Sequence, residues 1–174
     1  MENKEEESFL RLITENRGII YKICNTYCDN DADRQDLAQE ITYTLWKGRR
    51  TYDPAFKYTT WMYRVALNVA ISFCRASVIY RKRLLLAGQD PVINESASTK
   101  IDNDDNRSLL QIHVAALNEL DKALIILHFE GSNYKEISEV LGITETNVAT
   151  RLSRIKERLK QKIISSKKNT NARQ

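Results

Sequence analysis

The sequence predicts an all-α protein built as two small helical domains joined by a flexible acidic linker. Three observations carry that expectation. There are only five glycines and two prolines in 174 residues, so little interrupts the chain. Apolar residues recur along it with helical period. From Gly88 to Asp105 the period stops in a run rich in Asp, Asn, Ser and Thr, a composition that does not build a core. The expected divisions are a first domain at 1–87, a linker at 88–107, a second domain at 108–164 and a basic tail at 165–174. At 42% hydrophobic and 29% charged, the composition is that of a globular protein with a well-charged surface.

The first helix is expected from Glu5 to about Cys28, with Phe9, Leu10, Ile13, Ile20, Ile23, Cys24 and Tyr27 as its apolar stripe and Gly18 as a weak spot. Asp29-Asn30-Asp31 is a polar break, and Asp31 or Asp33 suits the N-cap of the next helix. That helix runs to about Trp46 and buries Leu37, Ile41 and Leu45, leaving Asp36, Gln39 and Glu40 on the opposite face. Those three are either solvated surface or an acidic knob for a basic partner helix; spacing does not decide. A long helix follows from about Thr60 to Leu86, with Trp61, Val65 and Val69 spaced as core. Asn68 sits inside it, where asparagine is a poor helix former and needs a hydrogen bond or a ligand to justify it.

Between and across these two helices lie both tryptophans, Trp46 and Trp61, with Tyr43, Tyr52, Phe56, Tyr58, Tyr63 and Phe73. Lys47, Arg49, Arg50, Lys57, Arg64 and Arg75 are interleaved with them. Rings stack on bases and cations neutralise phosphates, so the mixture suits unpaired nucleic acid. Rings in the core with charges on a solvated face give the same composition. Tyr52, Phe56 and Tyr58 lie in or beside the Asp53-Pro54 turn, where a ring is harder to bury and easier to offer to a ligand.

Helical period resumes at Ser108 with Leu109, Ile112, Ala116 and Leu117, then continues through Leu120 and Leu124 to Phe129, with Asp121 as the expected cap of the latter helix. Asn133 followed by Glu136 has the form of a capping box, opening a helix that buries Ile137, Val140 and Leu141. Gly142-Ile143-Thr144 reads as a tight turn, with Ile143 dropping into the core and Thr144 capping a last helix from Glu145 to about Ile163. That helix buries Val148, Leu152 and Ile155, and the whole forms a helix-turn-helix. Its exposed face begins with Glu145, Thr146, Asn147, Thr150 and Arg151, groups placed to reach base edges in a major groove. Arg154 and Arg158 follow, where they meet phosphates and fix register. A purely structural helical hairpin has the same skeleton; the cationic face after Thr150 favours DNA.

The net charge of +4 is modest, but it is unevenly placed. Basic residues dominate from Arg151 onward against Glu157 alone, while acids dominate the expected linker. Cys24, Cys28 and Cys74 form no disulfide framework, and His113 and His128 join no ligand cluster, so buried thiols in a reducing compartment are expected, with no metal and no cofactor. No apolar run reads as long enough to span a bilayer and the N-terminus is acidic rather than signal-like, which points to the cytoplasm. No nucleophile–base pair or phosphate loop emerges, so neither an enzyme nor a small-molecule substrate is expected.

Two motif blocks then carry a resemblance. Asp36-Leu37 with Gln39-Glu40, Trp46, Tyr52-Asp53-Pro54 and Trp61-Met62-Tyr63-Arg64-Val65-Ala66-Leu67-Asn68 resemble region two of bacterial RNA polymerase sigma factors of the extracytoplasmic-function (ECF) class. Leu117 to Lys160, through Tyr134-Lys135-Glu136-Ile137-Ser138, Leu141-Gly142-Ile143 and Val148 to Arg154, resembles region four. The absence of a region-three domain fits the short ECF class. The resemblance implies that Asp36, Gln39 and Glu40 dock on core RNA polymerase at the clamp helices of its largest subunit, and that the flap is a further contact. It implies that Tyr52, Phe56, Lys57, Tyr58, Trp61, Arg64 and Asn68 melt and hold the minus-ten element of promoter DNA, with a flipped base near Tyr52, Tyr58 and Asn68. Glu145, Thr146, Asn147, Thr150, Arg151, Arg154 and Arg158 would read the minus-thirty-five element. The acidic linker would thread toward the RNA channel. An anti-sigma factor, often membrane-bound, is the usual regulator in this class. Ala149, Asn147 and Ser138 depart from the family's usual basic residue, threonine and alanine, which bears on which promoter is read. A helix-turn-helix regulator acting alone, and a helical adaptor that binds proteins, are the competing readings; the first of these has no need of the Asp36-to-Asn68 block.

Overall fold

The structure, a computed structural model, describes residues 2–55, 57–87 and 112–171. The described residues contain helices and no strand. The chain divides into two compact units, Met1–Ala97 and Ser98–Gln174. The expected linker at 88–107 and the residues Ser108 and Leu109 lie outside the described residues.

In the first unit the helices are α1 (Glu2–Glu15), α2 (Arg17–Tyr27), α3 (Asp31–Lys47) and α4 (Tyr58–Leu86), with a short 3₁₀ turn at Gly48–Thr51. The single N-terminal helix expected from the sequence is therefore two. The break falls at Asn16, not Gly18: Asn16 leaves helical geometry at φ −102°, ψ 13°, and its Nδ2 donates to the Leu12 carbonyl at 2.8 Å. An amide that bonds its own preceding turn competes with the helix, whereas Gly18 only weakens it. Phe9 and Ile13 turn inward, but Leu10 is 48% exposed and leaves the expected stripe.

The N-cap of α3 is Asn30, not Asp31 or Asp33. Its Oδ1 accepts the Asp33 amide at 2.8 Å, and its Nδ2 donates to the Asp33 carboxylate at 2.7 Å. Such a cap is worth ~1 kcal/mol. Arg34 ties down the preceding loop by donating to the carbonyls of Cys28 and Asp29 and to the Asp31 carboxylate. Leu37, Ile41 and Leu45 are fully buried, as their spacing predicts.

On α4 the register differs from expectation. Met62, Tyr63, Ala66, Leu67 and Ala70 are the buried set, while Trp61, Val65 and Val69 are half-buried on its flank. The two series are one residue apart, about 100° around the helix, so either fits the apolar period. α4 also corrects the expectation about membranes: by length and composition alone it is apolar enough to cross one. Its face from Met62 to Ala70 is buried in the core, while Val78, Ile79, Tyr80, Leu85 and Leu86 further along are exposed.

In the second unit, helical backbone at 112–115 precedes α5 (Glu119–Phe129), α6 (Tyr134–Leu141) and α7 (Glu145–Asn171). Leu124 to Leu127, Ile137, Val140, Val148, Leu152, Ile155 and Leu159 form its core. Phe129 is exposed, and Leu141 and Ile143 are only half-buried. α7 runs past Ile163 into the basic tail. α5 is capped by Asn118, whose Oδ1 accepts the Asp121 amide at 2.9 Å. Asp121 is thus not the cap; it is buried. The capping box at Asn133 and Glu136 is present, each side chain accepting the other residue's amide at 2.9 Å.

Candidate nucleic-acid interfaces

On the first unit, burial of Leu37, Ile41 and Leu45 turns Asp36, Gln39 and Glu40 outward, and all three are exposed. Gln39 stands on the wall of an open apolar hollow of about 470 Å³ between α1 and α3, with Leu10, Ile13, Tyr43 and Trp46 around it. Trp46, on the wall of the hollow, is also part of a latch that the sequence does not announce. Arg49 lies over the Trp46 ring at 4.2 Å and donates to Glu6 of α1 at 2.8 Å.

The turn after α3 gathers rings rather than scattering them. Tyr52, Tyr58 and Trp61 pack together with centroids 5.4 to 5.7 Å apart. Phe9 of α1 meets Tyr58 and Trp61 edge-on at 5.7 and 5.8 Å. These are the spacings at which aromatic pairs attract. Tyr52 and Tyr58 are therefore half-buried, not freely offered as their place beside a turn suggests. Burial raises the Tyr58 phenol to about 12, with a smaller push from Tyr52. Its hydroxyl has no hydrogen-bond partner among the described residues. Phe56 lies outside the described residues. Arg64 and Asn68 are exposed, and with half-buried Trp61 they follow helical spacing along one face at the start of α4, while exposed Lys57 is the extended residue that caps it. Together they offer two cations, a ring edge and an amide. Phe9 is the ring that sequence reasoning placed only in a core stripe; its partners come from residues 50 positions away, which no local pattern reveals.

On the second unit the turn between α6 and α7 rests on Gly142 in left-handed conformation, φ +67°. The amides of Gly142 and Ile143 both donate to the Ser138 carbonyl, at 2.9 and 3.2 Å. Thr144 then accepts the Asn147 amide on Oγ1 at 3.2 Å, capping α7 as expected. Glu145, Thr146, Asn147 and Thr150 are exposed on the first turns of α7, and Arg154 and Arg158 beyond them. Thr150 Oγ1 donates back to the Thr146 carbonyl at 2.9 Å. Arg151 is half-buried and occupied: Nε donates to Asn147 Oδ1 at 2.8 Å and Nη1 to Asp121 Oδ1 at 3.2 Å. Arg158 donates to Asp121 Oδ2 at 2.8 Å. Of the three arginines on this face, Arg154 alone has no ion pair among the described residues. Asp121 was missed as a site residue because an acid in a first turn reads as a cap. The one signal was that Arg151 and Arg158, seven apart, share a helix face.

Cys24 and Cys28 are buried free thiols, and burial pushes their pKa values to about 11 and about 12. Among the described residues no group of His, Cys, Asp and Glu is placed to hold a metal.

Comparison with known proteins agrees with this geometry. Residues 12–78 match the family model of sigma-70 region 2 and residues 114–159 that of sigma-70 region 4. Together the two matches span well over half of the chain. The ECF RNA polymerase sigma factor SigW of Bacillus subtilis is 24% identical over 172 residues, covering 91% of this chain and 90% of SigW. The chain belongs to the ECF class of RNA polymerase sigma factors. RNA polymerase sigma factor SigV of the same organism is 27% identical over 146 residues, 82% of each chain. Among solved structures, the sigma factor RpoE in complex with the anti-sigma factor NepR from Bartonella quintana superposes with a TM-score of 0.66 at 15% identity. It covers 90% of this chain and 97% of RpoE, and shows a shared fold. As an ECF sigma factor the protein is a transcription regulator: it joins core RNA polymerase and directs it to promoters.

Proposed function

We propose that α3 docks this sigma factor on core polymerase through Asp36, Gln39 and Glu40, against basic groups of the largest subunit's clamp helices. The surface from Tyr52 to Asn68 then holds the unpaired non-template strand of the minus-ten element. In it, Lys57 and Arg64 take phosphates, the ring cluster stacks a base, and Asn68 hydrogen-bonds a base edge. Phe56 stays in this set on its place in the sequence. α7 enters the major groove of the minus-thirty-five element with Glu145, Thr146, Asn147 and Thr150 toward base edges and Arg151, Arg154 and Arg158 toward the backbone. The flap is a further polymerase contact, and the protein acts with polymerase in the cytoplasm.

The observation that carries this reading is the stripe of Trp61, Arg64 and Asn68 along one face of α4, with Lys57 just before the helix and the Tyr52–Tyr58 pair beside it. Cations, rings and an amide in this combination suit single-stranded DNA. A regulator that binds duplex DNA by a helix-turn-helix alone has no use for it. Unstacking a base costs a few kcal/mol, which stacking and base hydrogen bonds offset. An anti-sigma factor as regulator is supported by the solved RpoE–NepR complex, whose sigma chain shares this fold.

Permanganate footprinting tests the reading, because it modifies unpaired thymines. Core polymerase with the full chain should make thymines reactive around the minus-ten element, and Asn68→Ala should reduce that signal while promoter association persists. Undiminished reactivity in the variant would remove Asn68 from the strand-holding surface.

A further inference from the structure

Asp121 is the one charged side chain among the described residues that is buried, with 6% of its side chain exposed. Both its oxygens are used. Oδ1 accepts from Arg151, and Oδ2 accepts from Arg158 and from Asn118 Nδ2, the last at 2.9 Å. Stability alone is an incomplete account of this arrangement, since apolar residues of similar volume often serve a buried site as well as an ion cluster does. What an apolar residue does not do is orient a guanidinium.

We infer that Asp121 is a positioning residue for promoter reading, acting through Arg151 to set the side chain of Asn147. The inference rests on the minus-thirty-five role proposed for α7. Arg151 spends its planar fork in two directions, Nη1 toward Asp121 and Nε toward Asn147 Oδ1. A guanidinium only donates, so the group it meets on Asn147 is the carbonyl oxygen, and the amide orientation follows from that chemistry. The Nδ2 donors of Asn147 are then left for a ligand. Asn147 is exposed in the first turn of α7, the part of a recognition helix that meets base edges. An amide held this way offers donors to a base acceptor: purine N7, guanine O6 or thymine O4. Asp121 touches no DNA in this scheme. It fixes Arg151, and Arg151 fixes Asn147.

The test uses the full chain with core polymerase and a promoter library randomised across the minus-thirty-five element. Selected sequences are counted for wild type, Asp121→Asn, Asn147→Ala, the double variant and Arg151→Lys. Wild type should show a preferred base pair that Asn147→Ala flattens by about tenfold, the range of one good base contact. Asp121→Asn should flatten that same base pair and leave the other positions unchanged. In the double variant it should add nothing, because both changes remove one interaction. Arg151→Lys keeps the charge but not the fork and should flatten it too. It is also the deciding variant if thermal melts show that Asp121→Asn does not fold. Uniform weakening across all positions, additivity in the double variant, or an unchanged preference in Arg151→Lys would overturn the inference and leave a structural ion cluster. A wild-type protein that selects no sequence would instead overturn the minus-thirty-five role itself.

Discussion

The guanidinium of Arg49 lies 4.2 Å from the centroid of the Trp46 ring while it donates to Glu6 at 2.8 Å. One side chain thus clamps α1 to the end of α3, beside the hollow and the exposed Gln39. Arg49→Ala is expected to destabilise this unit by about 1–2 kcal/mol, from the lost cation–π contact and a partly exposed ion pair. Glu6→Gln should cost less, about 0.5 kcal/mol. Both tryptophans lie in the first unit, so urea unfolding followed by their fluorescence reads it alone. Equal stability of Arg49→Ala and wild type would show that the latch carries no weight.

Two glycines should respond in opposite directions to the same substitution. Gly142 holds φ +67° with nothing near an added Cβ, so Gly142→Ala suffers only the backbone cost of the left-handed region, about 1–2 kcal/mol. Gly18 is helical and also has open space around its Cβ position, so Gly18→Ala should gain about 0.5–1 kcal/mol. Thermal melts followed at 222 nm should show a lower midpoint for the first and a higher one for the second.

These two glycines also mark what was legible in the sequence. Gly142 was readable because its turn is bracketed by two local caps, Asn133 with Glu136 and Thr144, and capping is a short-range pattern. The burial of Leu37, Ile41 and Leu45 was readable for the same reason: period alone fixes their face. Gly18 misled, since a poor helix former is not a helix stop, and Asn16 broke the helix through a bond to its own preceding turn. The α4 register missed by one residue because Trp61-Val65-Val69 and Met62-Ala66-Ala70 are equally periodic, and only packing against the other helices chooses between them. The Asp121 cluster and the Phe9 contacts join residues 30 to 52 positions apart. Local spacing carries no information about such pairs.

The buried thiols give a pH dependence with a definite sign. Cys24 and Cys28 ionise near 9.0 in an unfolded chain but near 11 and 12 in the fold, so the folded state retains protons that the unfolded state loses. Their contribution is fully present below pH 9 and is lost as pH rises from 9 toward 11 and 12. At pH 8 a thiol alkylator should modify Cys74, which is only half-buried, before either of them. Equal rates at all three positions would contradict the burial described for Cys24 and Cys28.

Charge reversal on the proposed dock should weaken assembly without unfolding the chain. Asp36 and Glu40 are exposed, so Asp36→Lys with Glu40→Lys is expected to leave the melting midpoint within about 1–2 °C. Affinity for core polymerase should fall at least tenfold, and most at low salt. Wild-type affinity in a competition assay would reject this face as the dock.

The most direct measurement of the central claim is the mapping of transcript starts made in vitro on genomic DNA by core polymerase, with and without the full chain. The account predicts new starts that appear only with the protein and share two upstream motifs at a fixed separation, one for each unit. A folded, inhibitor-free protein that adds no starts yet binds duplex DNA as a symmetric dimer would contradict it.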